Sequence, residues 1–223
     1  PGGDGLMPAL ILAAGRGERL RPVTDKTPKA MVEVHGHKLI DRHLEMIARA
    51  GVKNVVINLG WLGEQIVDHV ESGEQFGLRV TYSPEYDNVL ETGGGIVRAL
   101  PMLGSEPFWT INADIYTDFQ IPDRPLADDL MAELVLVPTP AHKAHGDFEL
   151  VDDRTRNAAE PTLTYSGIAR YRPEFFADAA TGRFSVAPML REAADDGTLG
   201  GTLFEGMWED VGTPERLELL NRR

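Results

Sequence analysis

Two glycines and a set of cations stand where an apolar run ends. Ala9 to Ala14 reads as a buried strand, and Gly15 and Gly17 follow it directly. With no Cβ in the way, a glycine backbone can bring its N–H groups close to an anion. Arg16, Arg19, Arg21, Lys26 and Lys29 all fall in the stretch that opens at Gly15. In a chain of formal net charge -13, that local excess of cation suits a polyphosphate. Two carboxylates extend the chemistry. Asp114 follows the apolar run Phe108 to Ile111 in Asn112-Ala113-Asp114, and Asp210 lies in Trp208-Glu209-Asp210-Val211-Gly212-Thr213. A single Asp after a strand is ordinarily a turn or cap residue. A pair from separate strands meets the needs of Mg²⁺, which takes one or two carboxylates, keeps waters and binds phosphate oxygens. Two commoner glycine motifs do not fit. A dinucleotide fingerprint needs glycine where Leu20 stands, and no Gly-Lys-Ser/Thr is present for a Walker A loop.

The elements that must position these groups alternate along the first half of the chain. Helical spacing runs from Leu39 to Ala50 and is closed by Gly51; Val52 to Leu59 reads as a buried strand. Trp61 to Val70 repeats the helical spacing, Leu78 to Tyr82 is a short strand, and Gly95 to Leu103 is helix-like before the strand Phe108 to Ile111. Alternation of this kind implies a parallel sheet with crossover helices, whose ligands bind beyond the strands' carboxyl ends. Gly15 and Asp114 both sit at such ends. The second half is less regular. Leu134 to Val137 is a strand and Pro138 to Ala144 a loop. Gly146 to Val151 and Leu163 to Tyr171 are expected to pair antiparallel around a polar loop, Asp152 to Pro161. Glu174 to Ala180 and Val186 to Ala194 are expected as helices, and Leu203 to Trp208 as a last strand. Thr213 caps a final helix with Pro214 at its first position. Trp61, Trp109 and Trp208 are assigned to the core.

Composition narrows the class. The chain of 223 residues has 42% hydrophobic and 26% charged residues, ordinary values for a globular protein with a sizeable core. It has no cysteine, which excludes disulfides, a thiolate nucleophile and Cys-ligated metal. No apolar stretch reaches the ~20 residues of a membrane span, and an acidic total argues against nucleic-acid binding. A cytoplasmic protein is the expectation, with no membrane or nucleic-acid partner and as a monomer or small homo-oligomer. One domain over residues 1–223 is expected, with residues 1–8 a flexible extension and 138–171 an insertion on the substrate side.

The string from Leu12 to Lys29, Leu-Ala-Ala-Gly-Arg-Gly-Glu-Arg-Leu-Arg-Pro-Val-Thr-Asp-Lys-Thr-Pro-Lys, resembles the signature of the sugar-1-phosphate nucleotidyltransferases. The mid-chain Asp114 and the late Trp-x-Asp-x-Gly-Thr at 208–213 match the same family. The resemblance implies an α/β fold, a single-domain glycosyltransferase-A-like (Rossmann-like) three-layer sandwich with a mixed, mostly parallel sheet and helices on both faces. It implies attack of a sugar-1-phosphate oxygen on the α-phosphorus of a nucleoside triphosphate, with Mg²⁺ as cofactor. Arg19 and Lys29 would be catalytic, holding pyrophosphate and the reacting phosphates. Leu12, Ala13, Ala14, Gly15, Arg16, Gly17, Glu91 and Gly94 would bind nucleotide, the last two from Leu90-Glu91-Thr92-Gly93-Gly94-Gly95. Asn112, Gly146, Asp147, Glu160, Ser166 and Gly167 would bind sugar, and Asp114 and Asp210 the metal. Where relatives have Glu-Lys-Pro this chain has Ala159-Glu160-Pro161, so a lysine that binds the sugar phosphate is missing. The segments Leu-Glu-Thr-Gly-Gly-Gly and Thr-Tyr-Ser-Gly-Ile resemble a compact subgroup acting in cell-wall recycling. That likeness implies UTP and N-acetylmuramic acid 1-phosphate as preferred substrates. Guanylyl transfer to mannose or heptose 1-phosphate, uridylyl or thymidylyl transfer to glucose 1-phosphate, cytidylyl transfer to phosphocholine, and a non-catalytic regulatory homologue are the rivals.

Overall fold

The structure, a computed structural model, describes residues 7–223. Most of the expected N-terminal extension therefore lies outside the described residues. In chain order the elements are β1 (Ala9–Leu12), β2 (Glu33–Val34), β3 (His37–Lys38), α1 (Leu39–Arg49), β4 (Asn54–Leu59), α2 (Gly63–Val70), β5 (Arg79–Pro84), α3 (Glu91–Leu103), β6 (Phe108–Asn112), β7 (Ile115–Thr117), β8 (Ala132–Pro138), β9 (Glu149–Val151), β10 (Arg154–Arg156), β11 (Leu163–Tyr171), α4 (Ala187–Asp195), β12 (Leu199–Leu203), β13 (Trp208–Asp210) and α5 (Pro214–Arg222).

Nine of the strands form one sheet in the order β5-β4-β1-β6-β11-β8-β12-β10-β9. β5, β4, β1 and β6 are parallel, and β11 runs against both β6 and β8. The chain lays strands outward from β1 to β4 to β5, then returns with β6 on the other side of β1. Strand order thus reverses at β1, and open sheets bind ligands at such a switch. Leu12 is in register with both Asn58 and Asn112. The segments that leave β1, β4 and β6 therefore emerge side by side.

β1 is buried on both faces, which is why it reads as a continuous apolar run rather than an alternation. Its side chains still alternate. Ala9, Ile11 and Ala13 pack with Ile40, Leu44 and Ile47 of α1 and Ile66 of α2, whereas Leu10 and Leu12 pack with Ile96 and Ala99 of α3 and Leu190 of α4. Helices cover both faces, as the resemblance implied. Among the described residues no helix is long and apolar enough to cross a membrane.

The second half departs from the expected strands. Glu149–Val151 pairs with Arg154–Arg156, and of the expected pairing with β11 there is the isolated bridge Phe148 to Leu163, just before β9. Asp152 and Asp153 both adopt positive φ (49° and 59°), so the chain reverses in two residues with the backbone hand that suits a hairpin. The polar stretch expected as a loop therefore contains a strand. The last strand is also displaced. Leu199–Leu203 joins β8, and Leu203 to Trp208 is the connection to β13. A Cβ on Gly200 or Gly201 would crowd Leu130, Thr155 or Leu150, so both are strand residues under close packing. Glu174 to Ala180 yields only a 3₁₀ turn, Pro173–Phe176.

Candidate active site

Ala13 and Ala14 leave β1 with their N–H groups already engaged, donating to Asn58 Oδ1 at 2.5 and 3.1 Å. Asn58 is aimed by Glu85, whose Oε1 accepts from Asn58 Nδ2 at 3.0 Å and whose Oε2 accepts from Leu90 N at 3.0 Å. Burial raises the Glu85 carboxyl above the usual carboxylate range. One buried Asn–Glu pair thus ties the glycine loop to the start of α3, a link that single-sequence reasoning missed. Past Ala14 the picture changes. The N–H groups of Gly15, Arg16 and Gly17 find no protein acceptor among the described residues. Gly17 takes the left-handed conformation (φ 67°), and its carbonyl accepts from Thr24 Oγ1 at 2.7 Å. Successive free amides beside a left-handed residue make a concavity for an anion.

Lys29 runs over this loop, its Nζ only 3.0 Å from where a Cβ on Gly15 would stand. Arg16 is engaged differently from expectation. It donates to Thr24 O at 2.9 Å and to Asp25 Oδ1 at 3.2 Å, and its guanidinium lies 3.8 Å over the Trp61 ring. It braces the loop. Trp61, assigned to the core, is exposed, with its Nε1 donating to Thr24 O at 2.7 Å. Arg21 and Arg16 hold the Asp25 carboxyl below its usual range.

A small antiparallel ladder joins the backbones that carry the two carboxylates. β13 pairs with β7 so that Asp210 faces Ile115, and Val211 N donates to Asp114 O at 2.8 Å. Beneath them His43 on α1 contacts Ala113 O through Nε2 at 3.1 Å. Burial pushes its pKa down to about 4, so the ring is neutral and that nitrogen carries the donated proton. Lys29 Nζ stands 3.7 Å from Asp114 Oδ2. Arg216 NH1 stands 2.7 Å from Asp210 Oδ1 but is directed at His142 Nε2, 2.6 Å away. Asp210 Oδ1 is left a buried oxygen without an aligned donor. Among the described residues no third His, Asp or Glu joins the pair as a metal cluster. Two hard carboxylates, one with an unmet acceptor, fit Mg²⁺ completing its shell with water and phosphate oxygens. Arg19 is exposed and has no acidic partner among the described residues. A Cβ on Gly212 would crowd the guanidinium groups of both Arg19 and Arg216, so two cations converge beside Asp210.

Arg19, Asp114, Asp210 and Arg216 share a cavity of about 400 Å³ that also takes in Asn112, Ser166, Gly167 and Trp208, and Lys29 lines an adjoining pocket with Arg19 and Asp114. Gly167 (φ 87°) sits at a bulge in β11, and a Cβ there would come 2.8 Å from Asn112 Nδ2. Trp208 Nε1 donates to Ser166 O at 2.8 Å. Asn112, Ser166 and Gly167, expected as sugar ligands, thus line this cavity.

Other expected ligands are not available in this arrangement. The Gly146 amide donates to Pro161 O at 3.1 Å and does not face the cavity. Asp147 is bound by Lys143 Nζ at 2.7 Å and by Tyr165 N at 2.9 Å. Glu160 is exposed and off the cavity wall; Glu149 instead holds the Thr162 amide. Glu91, at φ 59°, is paired with Arg183 at 2.8 Å. Gly94 N donates to Phe184 O at 3.2 Å, and a Cβ on Gly94 would overlap the Gly182 carbonyl. The second glycine cluster therefore serves close packing of α3 against residues 182–184, while Leu90 beside it lines a separate cleft with Gly17 and Glu18. Lys143 and Arg216 are cavity cations that the sequence did not single out. For Arg216 a signal existed. Thr213 Oγ1 accepts from Arg216 N at 3.3 Å, so the cap that starts α5 also brings this side chain beside Asp210.

Comparison with known proteins agrees with this architecture. The chain is 43% identical over 222 residues to N-acetylmuramate alpha-1-phosphate uridylyltransferase of Neisseria meningitidis serogroup B, covering 95% of this chain and 96% of that protein. It is 36% identical over 226 residues to the protein of the same name in Caulobacter vibrioides, covering 93% and 92%. Among solved structures, a Bacillus anthracis protein assigned as a glucose-1-phosphate thymidylyltransferase superposes with a TM-score of 0.85 at 21% identity, covering 97% of this chain and 94% of that one. HddC from Yersinia pseudotuberculosis, complexed with GMP-PN, superposes at 0.78 and 22% identity, covering 97% and 99%. At such identities the structures speak for the fold alone. The nucleotidyl transferase family model matches residues 8–142, from β1 through the cavity loop that carries His142, and the chain belongs to that family.

Proposed function

We propose that this nucleotidyltransferase transfers UMP from UTP to N-acetylmuramic acid α-1-phosphate, giving the UDP-sugar and pyrophosphate. The observation that carries the choice of substrates is the near full-length similarity, at 43% identity, to an enzyme of that name. A phosphate oxygen of the sugar 1-phosphate attacks the α-phosphorus of UTP, and the bond from that phosphorus to the α,β-bridging oxygen breaks. The attacking oxygen is already an anion, so no general base is needed. The protein's task is alignment and charge compensation. The amides at Gly15 to Gly17 would receive phosphate oxygens, and Arg19, which has no acidic partner among the described residues, would hold the departing pyrophosphate. Lys29, which reaches from the loop to Asp114, would contact the two phosphates that react. Asp114 and Asp210 would hold Mg²⁺, which when bound supplies positive charge to the phosphate oxygens. Arg216, beside Asp210, would add charge on the sugar-phosphate side, where the family lysine is missing.

The test is pyrophosphate release from UTP, GTP, CTP and dTTP, each with N-acetylmuramic acid, N-acetylglucosamine, glucose and mannose 1-phosphates and with phosphocholine. The proposal expects the highest kcat/KM for UTP with N-acetylmuramic acid 1-phosphate. A higher value for another pair, or no release with any, would overturn it.

A further inference from the structure

The sugar end of the cavity carries a cation that the reaction does not require. Lys143 Nζ lies on the wall, 2.7 Å from both oxygens of Asp147 and 3.5 Å from Thr164 Oγ1. Asp147 is itself fixed by the Tyr165 amide and is not among the residues that line the cavity, whereas Lys143, which it holds, is. Thr164 stands three residues along β11 from Gly167, which touches Asn112 at the carboxyl end of β6. At ~3.3 Å per residue that places Thr164 about 10 Å along the strand from Gly167. Arg19 and Arg216 stand on the same wall beside Asp114 and Asp210, where the phosphates are read to bind. A neutral sugar would offer Lys143 only hydroxyl groups. An acidic sugar would offer an anion, and in a chain of net charge -13 an anion needs a dedicated local cation to be drawn in.

We infer that Lys143 is the residue that selects an acidic sugar phosphate, its ammonium receiving a carboxylate carried on the ring away from the anomeric phosphate. Asp147 and Tyr165 N keep the lysine extended along the wall before substrate arrives, so little side-chain freedom is lost on binding. This inference rests on the substrate reading above, since muramic acid bears such a carboxylate on its lactyl ether and glucosamine does not.

The experiment compares kcat/KM for N-acetylmuramic acid 1-phosphate and N-acetylglucosamine 1-phosphate, with UTP, in the wild type, Lys143→Gln and Lys143→Arg. The ratio of the two values is expected to fall about tenfold or more in Lys143→Gln, through a higher KM for the acidic sugar, and to recover in part in Lys143→Arg. An unchanged ratio, or an equal loss on both sugars, would mean that Lys143 acts structurally or on the shared phosphate, and would overturn the inference alone. If the wild type does not use the acidic sugar, the substrate reading falls with it. Thermal denaturation of each variant separates loss of selection from loss of fold.

Discussion

Arg19 is the side chain whose chemistry is least entangled with the fold. It has no acidic partner among the described residues, and it reaches the same cavity as Asp114 and Asp210. Replacing it with alanine should lower kcat by about 10²–10³, the usual cost of one preorganised electrostatic group, while KM for the sugar phosphate changes much less. Steady-state kinetics would contradict the pyrophosphate role if kcat were unaltered. His43 gives a prediction about pH. Its native pKa of about 4 lies below the usual 6.5, so between these values the unfolded chain binds a proton that the native chain refuses. Stability is therefore free of this penalty above pH 6.5 and is lost as pH falls towards 4, by about 3 kcal/mol in full. Urea unfolding of wild type and His43→Gln at pH 7 and pH 4.5 should show the stability gap between them narrowing at the lower pH. An identical gap at both would count against a buried neutral histidine. The residues legible in the sequence, Gly15, Gly17, Arg19, Lys29, Asp114 and Asp210, lie in short runs at strand ends, where type and position alone imply exposure to a ligand. The surroundings of Gly94, Gly146, Asp147 and Glu160 were not legible, because they depend on Gly182, Pro161, Lys143 with the Tyr165 amide, and the route of the loop after β10.

Among the elements, β1, β4 and α3 set the nucleotide side as one unit. Asn58 at the end of β4 accepts from two amides of the glycine loop, and Glu85 passes the constraint on to Leu90. Gly60, just beyond β4, presses against this loop so closely that a Cβ would overlap the Ala14 carbonyl oxygen. Gly60→Ala should therefore displace the loop backbone, costing about 1–3 kcal/mol of stability and raising KM for the nucleotide more than for the sugar phosphate. Thermal melts combined with kinetics in both substrates would check this. A variant with wild-type melting and wild-type nucleotide KM would show that the loop is not held from β4. The parallel half of the sheet was readable because buried strands and amphipathic helices alternate with clear punctuation. The hairpin of β9 and β10 was not, since Asp152-Asp153 lacks the glycine that announces such turns. β12 was obscured by Gly200 and Gly201, whose reason is tertiary packing against Leu130 and Thr155.

At the scale of the whole molecule, the fold gathers a loop near the start of the chain, a turn at its middle and a strand near its end around one cavity. β1 and β6 are sheet neighbours, and the pairing of β7 with β13 carries Asp210 to Asp114. An acidic surface surrounds a local concentration of Arg19, Lys29, Lys143 and Arg216, an arrangement that admits anionic substrates only where these cations stand. If the two carboxylates serve a single centre, they should fail as a unit and not as independent contributors. The most direct measurement is kcat for Asp114→Asn, Asp210→Asn and the double variant, each first shown to melt as a folded protein. The account predicts that either single substitution lowers kcat by about 10²–10³ or more, and that the double variant is little worse than the singles. Near-normal turnover in either single variant, or losses that multiply in the double, would contradict it.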